Sequence, residues 1–247
     1  MIKITRADEH YTNKNEWLAT THHFSFGDYF DPNKMNFGPL RVFNDDVIQP
    51  STGFDFHHHR DMEIITYVID GQLQHKDNQG NHGIVSSGEI QVMTAGSGIM
   101  HSEYNPSPEK PLRLLQIWVF ANKKGLLPAW QQRVFTRQER LNKLLPVVGS
   151  DGSTEDSLLR IHQDVKIYIS SLESSKEIKY GLEEQRKLYL FVISGNIKIN
   201  GDTLQERDAA RIEKEERIYI KAENPSELIL IDLPEKYPIN QDRKSVV

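Results

Sequence analysis

The 247-residue sequence contains no cysteine, no apolar run approaching a membrane span and no cluster of lysine and arginine. Each absence removes a class of function. Without cysteine there can be no disulfide scaffold, zinc–thiolate site, iron–sulfur cluster or cysteine nucleophile. The composition is compatible with a reducing compartment. The longest apolar stretches, residues 112–121 and 228–233, fall short of the roughly 20 residues of a spanning helix, and they carry Arg113, Gln116 and Asp232. The N-terminus is polar and charged from Lys3 onward and lacks the apolar segment of a secretory leader. A soluble, cytoplasmic protein without a membrane partner is expected. With 30 Lys+Arg against 35 Asp+Glu, the net charge of −5 gives no electrostatic reason to expect direct nucleic-acid binding.

What is present is mostly strand. Ile64-Ile65-Thr66-Tyr67-Val68-Ile69 is β-branched and aromatic and runs into the tight-turn pair Asp70-Gly71. Residues 72–75 alternate polar and apolar, and further short runs follow at 82–86, 89–94 and 112–120. Short strands joined by Gly, Asn and Asp turns predict an all-β sandwich or barrel. The best helical candidate is 136–144, where Thr136 and Glu139 form a capping-box pattern and Pro146 sets the end. Residues 148–157, rich in Gly and Ser, read as a linker, so the domain boundary is placed across 136–157. An imperfect repeat supports two similar domains. Tyr67-Val68-Ile69-Asp70-Gly71-Gln72-Leu73 is matched by Phe191-Val192-Ile193-Ser194-Gly195-Asn196-Ile197, and Gly88-Glu89-Ile90 by Arg207-Asp208-Ala209.

The chemistry concentrates in the histidines. In a strand, His57 and His59 of Phe56-His57-His58-His59-Arg60 project to one face while His58 points away. Some forty residues later, the glycine-rich turn Thr94-Ala95-Gly96-Ser97-Gly98 leads to His101 and Glu103, again two residues apart. Three imidazoles and a carboxylate suit a borderline divalent metal such as iron, nickel, manganese or zinc. His10, His22, His23, His75, His82 and His162 have no such partner in sequence and read as surface or hydrogen-bonded residues.

The pattern His57-x-His59 with Glu63, followed by Gly98-x-x-His101-x-x-x-Asn105, resembles the two cupin motifs. More narrowly, the run from His57 through Tyr67-Val68-x-x-Gly71, Gly88 and Met93-Thr94-Ala95-Gly96-x-Gly98-Ile99-x-His101-Ser102-Glu103 resembles the pirin family. Phe24-Ser25-Phe26-Gly27-Asp28-Tyr29, Gly38-Pro39-Leu40-Arg41-Val42 and Gln116-Ile117-Trp118-Val119 extend the likeness. The resemblance implies a bicupin: two double-stranded β-helix (jelly-roll) barrels with few short helices. A metal-binding cupin would span 1–135, a helix and linker 136–157, and a second cupin 158–247. It further implies metal ligands His57, His59, His101 and Glu103. Generic cupin spacing would instead select Glu63 as the carboxylate, and the longer pirin match favours Glu103. His58 stands where the family commonly has proline, an outward position that leaves the metal site unaffected. The second cupin is expected to be metal-free, because the offset of 124 between Gly71 and Gly195 carries His57 and His59 onto Gly181 and Glu183.

Resemblance to pirins of the quercetinase type implies a metal-dependent dioxygenase that opens quercetin-like flavonols with dioxygen and releases carbon monoxide. Fe(II) is the expected ion, with Ni, Mn, Zn, Co or Cu as alternatives. Glu103 would serve as general base for the flavonol 3-hydroxyl. Phe24, Phe26, Phe54, Phe56 and Met100 would supply an apolar slot for flat rings, or pack the core. The alternative that the family also offers is a non-catalytic, metal-binding regulator acting through a protein partner.

Overall fold

The computed structural model describes residues 1–150 and 158–237. Strands dominate as the alternating patterns predict. In chain order they are β1 (Ile2–Thr5), β2 (Tyr11–Lys14), β3 (Leu18–His22), β4 (Leu40–Ile48), β5 (Gly53–His59), β6 (Met62–Asp70), β7 (Gln72–Asp77), β8 (His82–Ser86), β9 (Glu89–Thr94), β10 (Ile99–Tyr104) and β11 (Leu112–Phe120). There follow β12 (Ala129–Val134), β13 (Leu145–Ser150), β14 (Leu159–Ile161), β15 (Lys166–Leu172), β16 (Glu177–Gly181), β17 (Arg186–Ser194), β18 (Ile197–Ile199), β19 (Asp202–Leu204), β20 (Ala209–Glu213), β21 (Arg217–Ala222) and β22 (Ser226–Pro234). No helix among the described residues is long and apolar enough to cross a membrane.

The chain forms two compact units. The N-barrel comprises Tyr11–Val134 and Leu159–Gln163, and the C-barrel comprises Met1–His10, Phe135–Leu158 and Asp164–Tyr237. The first ten residues therefore fold with the C-barrel, where β1 pairs antiparallel with β20. In turn, the short segment Leu159–Gln163 joins the N-barrel rather than the second domain of the sequence reading.

The two barrels repeat one topology. In the N-barrel a large sheet runs β12-β9-β6-β11-β4-β3-β2 and a small one β5-β10-β7-β8; in the C-barrel the corresponding runs are β1-β20-β17-β22-β15-β13 and β16-β21-β18-β19. The glycine turns of the sequence repeat occupy equivalent places. Gly71 and Gly195 have φ of +85° and +79°. A Cβ on either would meet the carbonyl of a facing proline, Pro111 at 2.9 Å or Pro225 at 2.4 Å. The second turn pairs Gly88 with Arg207, both at positive φ.

The interiors differ. Among the described residues, an apolar cluster of the C-barrel includes Leu188, Leu190, Val192, Ile199, Ala210, Ile220 and Leu230. In the N-barrel, Val42, Met62, Ile64, Met93, Ile99 and Trp118 fill one level, and Ile48, Val68, Leu73, Val85, Leu112 and Leu114 fill another. Between them along the same inward faces lie buried Asn44, Asp46, Thr66, Gln91 and Gln116. On β6, for example, Ile64 and Val68 flank Thr66, and on β11, Leu114 and Trp118 flank Gln116.

The stretch 136–144 is not a helix. Its capping box does form, with the Thr136 amide donating to the Glu139 carboxylate at 2.7 Å and the Glu139 amide to the Thr136 hydroxyl at 3.3 Å. Beyond this single turn the backbone is claimed by β15. The Asn142 amide donates to the Ser171 carbonyl and the Ser171 amide to the Arg140 carbonyl, while Asn142 adopts φ +55°. One turn costs nucleation without the propagation that would repay it. Residues 148–150 of the expected linker belong to strand β13 (Leu145–Ser150), and 151–157 lie outside the described residues.

Gly195→Ala should destabilise the C-barrel by about 2 kcal/mol or more, since it adds a left-handed alanine to a carbonyl contact at 2.4 Å. Chemical denaturation followed by tryptophan-independent far-ultraviolet dichroism would measure the loss; an unchanged midpoint would contradict the turn geometry.

Candidate metal centre

The small sheet of the N-barrel carries the histidines. Strand β10 pairs with β5 so that His101 stands opposite His57, and with β7 so that Glu103 stands opposite His75. A register shift between His101 and Glu103 places Phe54, not Asp55, opposite Glu103. His57 and His59 point inward, and exposed His58 points out, as strand alternation requires. The rings of His57, His59 and His101 form a compact triangle with centroid separations of 4.7, 4.4 and 5.0 Å.

Two overlapping groups can each hold a metal ion: His57, His59 and His101, with all ligand atoms within 4.8 Å, and His75, His101 and Glu103 under the same limit. His101 belongs to both. Glu63 belongs to neither. Its carboxylate accepts Thr94 Oγ1 at 2.7 Å and both the amide and Nδ1 of His162 at 3.0 Å. It therefore fastens Leu159–Gln163 to the N-barrel.

The donors present neutral imidazole nitrogens. His57 Nδ1 lies 2.8 Å from the Asp55 carbonyl, an acceptor only, so Nδ1 carries the proton and Nε2 keeps its lone pair. Burial and the neighbouring His57 and His58 lower the His59 pKa to about 3; burial with His57, His59 and His75 lowers that of His101 to about 2. His101 Nε2 is buried and has no hydrogen-bond partner. A buried imidazole nitrogen without a partner is costly, and a divalent cation is the ligand that three converging neutral imidazoles fit.

Glu103 is held from the opposite, large sheet. Gln91 Nε2 donates to Oε1 and Gln116 Nε2 to Oε2, both at 2.8 Å, with Thr66 Oγ1 at 3.4 Å from Oε1. The amides are oriented by further donors: Trp130 Nε1 to Gln91 Oε1 at 2.9 Å and Thr66 Oγ1 to Gln116 Oε1 at 3.0 Å. Burial pushes the Glu103 pKa up, against these hydrogen bonds, to about 7. Asp46, in the same buried level, is also raised to about 7, by burial first, with a hydrogen bond from Thr20 opposing and the charges of Asp45 and Glu103 adding.

The apolar residues singled out by sequence divide. Phe26 packs edge-on against Trp118 at 5.2 Å, and Trp118 against His59 at 4.7 Å. Phe54 lies 6.1 Å from the His57 ring. Phe54 borders the imidazoles directly, and Phe26 only through Trp118. Phe24 is fully buried core. Phe56 and Met100, 52% and 41% exposed, alternate with the inward histidines and face away from them, so they cannot line a slot on the metal side. His75, read from sequence as a surface or hydrogen-bonded residue without partner ligands, is wholly buried and adjoins His101. The signal lay in β7, where Leu73, His75 and Asp77 share the inward face.

Comparison with known proteins agrees with this architecture. The pirin family profile matches residues 4–119, and the profile described as the quercetinase C-terminal cupin domain matches residues 147–233. The chain is 41% identical over 234 residues to the quercetin 2,3-dioxygenase of Escherichia coli (strain K12), covering 95% of this chain and 99% of that protein. It is 44% identical over 216 residues to a pirin-like protein of Caulobacter vibrioides, covering 87% and 92%. Among solved structures, the bacterial pirin YhhW of Escherichia coli in complex with nickel(II) superposes with a TM-score of 0.90 at 40% identity, covering 96% of this chain and 100% of that one. With two cupin barrels of repeated topology, a histidine-rich interior in the first, and relatives that match nearly end to end, the chain belongs to the pirin family.

Proposed function

We propose that the N-barrel holds one divalent metal through His57, His59, His101 and Glu103, with Fe(II) as the working ion. We further propose that the chain opens quercetin-like flavonols with dioxygen, releasing carbon monoxide. The observation that carries this reading is the buried, unpartnered Nε2 of His101 between two further neutral imidazoles, with a carboxyl of pKa about 7 beside it. The quercetin dioxygenase relative and the nickel complex of YhhW support it.

A divalent ion bound there supplies Lewis acidity toward the flavonol 3-oxygen and, when it is iron, one-electron chemistry toward dioxygen. The protein does the rest. Glu103, poised near neutrality, takes the proton of the 3-hydroxyl. Gln91 and Gln116 hold the carboxylate in place, so no reorientation is needed as the proton arrives. Trp118, packed against His59 and backed by the buried Met62, Ile64 and Met93, keeps water from that side of the imidazoles.

His101→Ala should abolish metal uptake by the folded protein, whereas His58→Ala should leave it intact. Elemental analysis per chain after reconstitution distinguishes them, and equal loss in both would overturn the ligand geometry. Glu103→Gln should lower turnover by about 10²–10⁴-fold even at saturating metal. By contrast, Glu63→Gln should retain metal and cost about 1–3 kcal/mol of stability, because its amide cannot accept all the bonds from Thr94 and His162. Oxygen uptake and carbon monoxide evolved together should appear with quercetin and not with a flavone lacking the 3-hydroxyl. Quercetin loss at the same rate with metal-free protein would identify autoxidation and favour the regulatory alternative.

A further inference from the structure

Strand β7 sends two buried polar side chains toward the metal centre. His75 is 0% exposed; its Nε2 lies 3.2 Å from Asp77 Oδ2 and its Nδ1 lies 3.5 Å from His101 Nδ1. Its ring stacks on Trp130, with centroids 5.2 Å apart and planes 12° from parallel. A Cβ on Gly83 would approach the Trp130 ring to 2.8 Å, so a glycine there gives the indole its room. Trp130 also donates to Gln91, and one residue thereby fixes the supports of both His101 and Glu103. Asp77 is itself locked, its Oδ1 accepting the amides of Gln79 and Asn81 and its Oδ2 the Asn81 side chain, each at 2.9 Å.

The proton positions along this row follow from donor and acceptor counting. Burial works against ionisation of Asp77, but hydrogen bonds from Asn81, His75 and Gln79 outweigh it and hold its carboxyl below the usual range. An ionised carboxylate only accepts, so His75 Nε2 must be its N–H. His75 is wholly buried with Nε2 committed to Asp77; a neutral imidazole carries one proton, which leaves His75 Nδ1 as a bare lone pair. Two lone pairs would repel at the His101 contact, so the proton there belongs to His101 Nδ1. The only nitrogen left without a proton on His101 is Nε2, the atom that has no partner.

We propose that Asp77 and His75 form an orienting relay that fixes His101 in its Nδ1-protonated tautomer and aims the Nε2 lone pair at the metal; this rests on the metal assignment proposed above. His75 is then a positioning residue, not a ligand. The C-barrel supports the assignment by contrast. There β18 pairs with β21 as β7 pairs with β10, and the residues at the His75–Glu103 pair are Ile199 and Ile220. Relay and carboxylate are replaced together.

The test uses the full metal-free chain titrated with Ni(II), together with the ¹⁵N shifts of its imidazoles. His75→Phe should weaken Ni(II) binding by about 10–100-fold, the usual effect of removing a partner behind a metal-binding histidine. His75→Gln should restore most of that loss, because its amide oxygen can accept from His101 Nδ1 while its NH₂ donates to Asp77. Nitrogen shifts of the metal-free wild type should place the His101 proton on Nδ1. This last measurement stands even if the phenylalanine variant does not fold. Wild-type Ni(II) affinity in folded His75→Phe, no recovery in His75→Gln, or a proton on His101 Nε2 would each overturn the relay. Failure of the metal assignment looks different: the wild-type chain would take up no nickel, and the His101 tautomer alone would then decide the relay.

Discussion

The N-barrel is organised around a carboxylate that has been taken out of water. Glu103 accepts two amide donors from the facing sheet, and its burial is tolerable only because those donors are already aimed. An unpaired charge at this depth would cost several kcal/mol. The requirement spreads outward. Gln91 must be held by Trp130 and Gln116 by Thr66, which fixes the identity of one inward position on each of β6, β9, β11 and β12. The apolar clusters on either side keep water from competing for those bonds, so the polar level and its hydrophobic neighbours are parts of one device.

The C-barrel shows what the same scaffold becomes without that constraint. Strand pairing sets Gln116 of β11 opposite Thr66 of β6, and Leu230 of β22 opposite Leu190 of β17. Equivalent places hold a hydrogen-bonded pair in one barrel and a leucine pair in the other. Topology, turn glycines and sheet order are shared, so backbone architecture does not depend on what fills the middle level. The two barrels differ in what fills the inward face of a handful of strands.

Much of this was legible in the sequence, and the exceptions share a cause. Local periodicity placed most N-barrel strands and set His57 and His59 on one face with His58 on the other. The Gly71–Gly195 repeat announced the duplication because a positive-φ turn against a facing carbonyl leaves few alternatives to glycine. What local pattern could not supply was the partner across the barrel. Glu63 and Glu103 are indistinguishable as carboxylates near histidines until His162, just past β14, is seen to claim one and Gln91 with Gln116 the other. The inward role of His75 required knowing that β7 pairs beside β10. Phe56 and Met100 alternate with the inward histidines and so face away from them, whereas the register shift in β5 brings Phe54 opposite Glu103. The 136–144 segment carried its start signal correctly, but a long-range bridge to β15 ended it after one turn.

The pairing of β1 with β20 has a consequence for how the chain is made. Roughly 200 residues separate the two strands, and synthesis proceeds at about 5–20 residues per second, so the first strand waits on the order of ten seconds or more for its partner. Most of the N-barrel's strands emerge and can close during that interval. The waiting segment, Ile2-Lys3-Ile4-Thr5, is a short β-branched edge that is prone to unwanted pairing, and Lys3 at its centre is the kind of charge that discourages it. The C-barrel is thus sealed by a strand made well before its partner, which ties its closure to a segment that must stay unpaired until β20 arrives.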